Sequence, residues 1–230
     1  MQIKFLGTGG AFDVDYGNSA AVVNFNGHNY LIDCGFMTYP ALRKYNQIEQ
    51  IDFILLTHLH NDHSGSLANL LLHYKIFGLE KKPVLLYPFG EYKIQVEEFL
   101  RIQVVEPDKY VKFKPLEEHD GVTYLDTMGC HAEGMQTFSY IFEDEQERLV
   151  YSGDLAKFEV LFDHLKELDE KKTTIFHDIS FNEKNNGHAF YKKLLPYQEQ
   201  YKIYGYHCDP TQNPSDNTIP LVAQQKELLF

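Results

Sequence analysis

Apolar residues fall in short blocks along the chain, and their spacing predicts a strand-rich protein with helices inserted at intervals. Residues 2–6, 20–25 and 28–33 carry strand patterning. Asn26-Gly27, between the second and third blocks, is a two-residue hairpin signal. A helix is predicted near 38–46, a strand at 53–56, and a helix from about Ser64 to Phe77, where Leu67, Leu70, Leu71 and Tyr74 recur at helical spacing. A strand at 84–87 and an amphipathic helix at 91–101 follow. The second half predicts strands near 111–115, 121–127, 138–143 and 148–151, then a helix at 157–169 and a strand at 173–177. A helix at 188–198, a strand at 201–206 and a last strand near 219–229 complete it. Each half is several strands and then helix, strand, helix. Two sheets packed together with helices on their outer faces satisfy that pattern.

Composition narrows the class. The 230 residues, 43% of them hydrophobic, suit one well-packed soluble domain spanning 1–230. No apolar run approaches the roughly 18 residues of a membrane span. The opening Met1-Gln-Ile-Lys-Phe-Leu6 enters a strand pattern with no signal region, so a cytoplasmic setting is expected. Cys34, Cys130 and Cys208 are odd in number and lack C-x-x-C pairing, which fits reduced thiols. The formal charge of −12 argues against extended nucleic-acid binding, because a protein that grips a phosphate backbone usually shows a basic face. Bound divalent ions would return positive charge locally, so a small anionic substrate stays acceptable. The sequence leaves open whether copies associate into an oligomer.

The most informative stretch is Thr57-His-Leu-His-Asn-Asp-His-Ser-Gly65, an H-x-H-x-D-H pattern placed just after the apolar run Phe53–Leu56. Donors displayed where a strand ends are held on rigid backbone and project into a cleft. Three imidazoles and a carboxylate within six residues cannot all grip one ion tetrahedrally, and two ions fit them better. The alternative is a polar helix-start loop capped by Asp62. Further candidates stand at later strand ends: His131 in Gly-Cys-His, Asp154 in Ser-Gly-Asp, and His207 in Tyr-His-Cys.

With that ordered set in view, the chain resembles the metallo-β-lactamase-fold hydrolase superfamily. Phe5-Leu-Gly-Thr-Gly-Gly10 and Tyr30-Leu-Ile-Asp-Cys-Gly35 extend the likeness over nearly the whole chain. The L-G-T-G-G opening resembles the ribonuclease Z and phosphodiesterase branch. The resemblance implies an α+β fold, a four-layer αββα sandwich, with a dinuclear site at one sheet edge. By position, His58, His60 and His131 would hold one metal and Asp62, His63 and His207 the other, with Asp154 bridging. Mixed His and carboxylate ligation suits zinc first, with manganese or iron as alternatives. A water shared by two cations loses a proton near neutral pH and becomes the nucleophile. Asp62 and His188 are the candidate catalytic residues. In phosphodiesterase-like members a histidine near the position of Asn186-Gly-His188 faces the substrate phosphate.

Other signals receive blander readings. Gly7-Thr-Gly-Gly10 is followed by no GK[ST], so it reads as a tight turn rather than a nucleotide loop. Asp33 reads as a hydrogen-bonding residue beneath the site. His28, His73, His119 and His164 read as surface residues, Cys208 as packing, Ser64 as a helix start, and His177 as structural. Departures from relatives separate the hydrolases. Only 22 residues lie between His131 and Asp154, too few for a transfer-RNA-gripping arm, and 23 follow His207, too few for a glyoxalase-type helical domain. Leu155-Ala-Lys-Phe replaces the Tyr that lactonase-type members carry after the bridging Asp. The expected activity is hydrolysis of a small, cyclic phosphodiester. A carboxylic-ester, thioester or lactone hydrolase is the first alternative and a non-catalytic metal-binding regulatory module the second.

Overall fold

In a computed structural model covering residues 1–230, the chain builds two sheets. The first has six strands in sequence order: β1 (Gln2–Gly7), β2 (Ala20–Phe25), β3 (His28–Ile32), β4 (Phe53–Leu55), β5 (Val84–Tyr87) and β6 (Lys112–Pro115). β1 to β3 run antiparallel, and β3 to β6 run parallel. Asn26 and Gly27 turn the β2–β3 hairpin with φ of 49° and 77°, the paired left-handed conformation of a two-residue turn. Parallel neighbours need crossovers, and helices supply them: α1 (Thr38–Lys44), α2 (Asn61–Ser64), α3 (Leu67–Ile76), α4 (Gly90–Ile102) and the single turn α5 (Pro107–Tyr110).

The second sheet has the order β11-β10-β9-β8-β7, from β7 (Val122–Asp126), β8 (Phe138–Glu143), β9 (Glu147–Tyr151), β10 (Lys172–Asp178) and β11 (Lys202–Tyr206). β9, β10 and β11 are parallel, while β8 runs antiparallel to both β7 and β9. Helix α6 (Glu159–Glu167) and the short α7 (Tyr191–Leu194) accompany it. The period-2 pleat divides this sheet's buried residues between two cores. Tyr140, Tyr151, Phe176, Tyr204 and Tyr206 pack inward with the first sheet, while Ile141, Val150, Ile175 and Ile203 pack outward with Leu161, Phe162 and Leu165 of α6. This is the layered α+β sandwich expected from the sequence. No helix is long and apolar enough to cross a membrane.

Three predicted elements differ. The helix expected from Ser64 begins at Asn61 and breaks at Gly65-Ser66, because the Ser66 backbone N–H leaves the helical ladder and donates to the Cys34 carbonyl at 2.9 Å. The helix expected at 188–198 shrinks to α7 followed by a 3₁₀ segment at Leu195–Glu199, since Pro196 has no N–H for an α-helical bond. The last strand is absent: 219–229 makes single bridges, Leu221 to Gly205 and Leu229 to Phe5, joined by 3₁₀ turns. Its apolar residues are anchors set into two cores, not members of a continuous ladder.

The inter-sheet core is aromatic. Phe5 is fully buried among Tyr151, Phe176 and Tyr206, with ring centroids 6.1, 5.4 and 5.7 Å away. Phe5→Ala should therefore cost about 3–5 kcal/mol, read as a lower midpoint in urea unfolding. A loss below about 1 kcal/mol would show that the two sheets do not depend on this ring.

Candidate metal centre

Strand direction decides where the polar residues meet. β1, β3 and β4 in one sheet and β7, β9, β10 and β11 in the other all end at the same edge of the sandwich. The H-x-H-x-D-H segment follows β4, His131 follows β7, Asp154 follows β9, and His207 follows β11. The structure brings all seven sequence-predicted donors together in two groups that meet at Asp154. His58, His60 and His131 form one group; Asp62, His63, Asp154 and His207 form the other.

The spacing within the groups suits a shared cation. Asp154 Oδ2 lies 3.4 Å from His63 Nε2, 3.5 Å from His207 Nε2, 3.6 Å from His131 Nε2 and 3.9 Å from His58 Nε2. Asp62 Oδ2 is 3.3 Å from both His63 Nε2 and His207 Nε2. Four ligands around one ion at about 2.0–2.2 Å stand roughly 3.3–3.6 Å from each other, which these separations match. On the other side His60 Nδ1 lies 3.0 Å from His58 Nε2 and 3.2 Å from His131 Nε2.

Hydrogen bonds behind the rings fix which nitrogen faces the cluster. The Asp33 carboxylate accepts from Thr57 N at 2.7 Å, from the Thr57 hydroxyl and from His63 Nδ1 at 2.8 Å. Thr57 spends its only hydroxyl proton on Asp33, so at 3.0 Å it accepts from His58 Nδ1. His131 Nδ1 donates to the Gly187 carbonyl at 2.6 Å. In each case Nδ1 donates outward and Nε2 faces the cluster, the arrangement in which an outer partner orients a metal ligand. Asp33 and His207 both hold φ of 65°, an uncommon conformation for residues other than glycine. Gly35 is demanded by packing, because a Cβ there would stand 1.9 Å from the Asp62 carbonyl oxygen.

Two observations test whether a cation fits. His63 Nε2 and Asp154 Oδ1 are wholly buried without a hydrogen-bond partner, which costs about 1–3 kcal/mol each. A cation among these donors would satisfy both. The charge balance also calls for one. Asp33, Asp62, Asp154 and Asp178 are buried, and their only ion-pair partners are histidines. Burial opposes the charge of Asp62 and Asp154, yet the neighbouring histidines hold both carboxyls well below their usual range. Burial and the adjoining His63 push His58 well below the ordinary histidine value, toward the neutral form that ligates. Burial opposes protonation of His63 as well, but Asp154 and Asp33 outweigh it and raise its pKa well above that value. The donor set fits a divalent cation.

His188 reaches the same cleft from the segment before α7. Its Nδ1 bonds to Asp178 Oδ2 at 2.9 Å and lies 3.8 Å from Asp154 Oδ2. Burial lowers its pKa, but the Asp178 bond and charge prevail and raise it to about 9. Sequence reasoning left the role of Asp178 open, although the strand-end signal was present: Asp178 is the last residue of β10, as Asp154 follows β9. His177 is fully buried, stacked on Phe162, with Nδ1 donating to the Asp178 backbone carbonyl at 2.7 Å. Cys208 packs in the outer core, and burial pushes its thiol up to about 12. Asp33 lies beneath the cluster, and His28, His73, His119 and His164 stand apart from it.

The family model described as Anti-Pycsar protein Apyc1 matches residues 1–228. Among relatives, the Anti-Pycsar protein Apyc1 of Bacillus phage BSP38 is 29% identical, over 90% of this chain and 88% of the relative. That of Paenibacillus harenae is 28% identical, over 92% and 91%. Among solved structures, the metallo-β-lactamase fold protein YhfI of Bacillus subtilis superposes with a TM-score of 0.69 at 16% identity, over 94% of this chain and 88% of that one. The short form of human tRNase Z does so at 0.67 and 18%, over 93% and 95%. The chain therefore belongs to the Anti-Pycsar protein Apyc1 family and is a metal-dependent phosphodiesterase built on the metallo-β-lactamase fold.

Proposed function

We propose that this protein hydrolyses a small cyclic phosphodiester, a cyclic nucleotide, with two divalent cations, zinc first among the candidates. The observation that carries the reading is the convergence of seven donors into two groups sharing the Asp154 carboxylate. His58, His60 and His131 would hold one ion, Asp62, His63 and His207 the other, and Asp154 both. Two such cations supply Lewis acidity toward the phosphoryl oxygen and acidify an attacking water.

The chain's own groups supply the rest. His188 lines the cleft with Nδ1 held by Asp178, which leaves Nε2 to act on the substrate. Protonated, it either donates a hydrogen bond to the phosphoryl oxygen as charge develops there or hands its one free proton to the leaving oxygen as the P–O bond breaks. The buried Asp178 carboxylate fixes the ring's orientation and favours its charged form. No Lys or Arg lines this cleft of about 680 Å³, which supports a small substrate over an extended nucleic-acid strand.

Three measurements test this reading. Zinc- or manganese-loaded protein should hydrolyse a 3′,5′-cyclic nucleotide faster than a β-lactam, a lactone or an acyl thioester, and Asp62→Ala should abolish the turnover. A clear preference for lactone or thioester would overturn the assignment. His188→Ala should lower kcat by roughly 10²-fold with metal content intact, as for one general acid or charge stabiliser; unchanged turnover would make His188 a bystander. Asp33→Ala should weaken metal affinity by about 10- to 100-fold in a chelator competition, because His63 loses the partner that orients it. Equal affinity in variant and parent would remove Asp33 from the site's support.

A further inference from the structure

Phe12 is the most exposed large apolar side chain at the cleft. It is 95% accessible, yet it lines the same cleft as His60, His131 and Asp154. Its loop is rooted in the site. Thr8 N and Gly9 N donate to the carbonyls of Tyr16 and Gly17 at the loop's foot. Gly10 N donates to Asp13 Oδ2 at 3.0 Å, and Tyr16 N to the Asp13 carbonyl. Gly10 packs so tightly against His207 that a Cβ there would lie 3.1 Å from the ring. The phenyl ring is thus carried two residues beyond a backbone fastened to the metal-site edge.

The lining chemistry says what such a ring would meet. The charged side chains of the cleft are carboxylates and histidines, with Asp13 and Asp209 among its walls and no Lys or Arg. A second phosphate on the substrate would find no Lys or Arg and would face these carboxylates. Affinity beyond the scissile phosphate must come from neutral contacts. Phe12, Phe181 and the amides of Asn182, Asn185 and Gln212 offer stacking and uncharged hydrogen bonds. Stacking on an aromatic side chain accepts any base, because every base has a π face.

We infer that Phe12 is a binding residue for the substrate's heterocyclic base, stacking on a nucleoside that carries a single cyclic phosphate. The inference rests on the phosphodiesterase reading above and adds the group recognised beyond the phosphate. The test compares the metal-loaded full chain on two substrates: a 3′,5′-cyclic nucleotide, and the same cyclic ribose phosphate with hydrogen in place of the base. Phe12→Ala should raise KM for the nucleotide by about 5- to 100-fold, the range of one base–aromatic stack, with kcat within about threefold. KM for the abasic substrate should stay unchanged. Phe12→Tyr should restore the parent value, and Phe12→Leu, apolar but not aromatic, should not. An unchanged KM in Phe12→Ala, an equal loss on both substrates, or rescue by Leu would overturn the assignment while leaving the phosphodiesterase reading intact. Failure of the parent protein to turn over either substrate would overturn both.

Discussion

A fully buried carboxylate, Asp33, organises the metal-site edge. It sits where β3 ends, in left-handed backbone, and receives Thr57 N, the Thr57 hydroxyl and His63 Nδ1. Those bonds reach both ends of the H-x-H-x-D-H segment, so one side chain sets the entry to the segment and its last histidine together. Thr57 passes the arrangement on to His58. Burying an anion is costly unless its lone pairs are filled, and here each donor that fills them is also a positioned part of the site. The cost of the charge and the precision of the cluster have a common origin.

Around that polar centre the packing is apolar and aromatic, and it keeps the cluster's carbonyls occupied. The hydroxyls of Tyr92 and Tyr140, both buried, donate to the Leu56 carbonyl just ahead of the motif. The Tyr206 hydroxyl donates to Gly153, next to the bridging Asp154. Tyrosine suits these places because its ring joins the core while its hydroxyl satisfies a backbone group that two nearly touching sheets have cut off from water. The core and the site are therefore not separate regions of this protein.

Much of this was legible in the chain itself. Short apolar blocks located all eleven strands within about two residues, even β4, which is barely three residues long. The rule that donors stand at strand ends collected the distant His131, Asp154 and His207, because co-directional strands must finish at one edge. What resisted reading depended on tertiary partners. Asp178 looks like any polar strand end until β10 is placed beside the loop that carries His188. Residues 219–229 are apolar enough at both ends to read as a strand, but Pro220 lacks an N–H and the segment's apolar residues seat in two different cores. The exposure of Phe12 has no sequence signal at all, since an apolar residue near a glycine-rich turn reads as packing.

The path of the chain through the site carries a consequence for how the protein is made. The candidate ligands extend from His58 to His207, and the backbone N–H of His207 is itself fastened to the Thr8 carbonyl at 2.8 Å. Loops this long close only late, because their entropy must be offset before the contacts they bring can form. A nascent chain emerging from the ribosome shows the H-x-H-x-D-H segment well before its partners in the second sheet exist. Ions captured at that stage would meet a partial and flexible donor set with little to choose between them. Discrimination among metals therefore falls to the finished fold, after synthesis, when both sheets hold the donors at their final spacing.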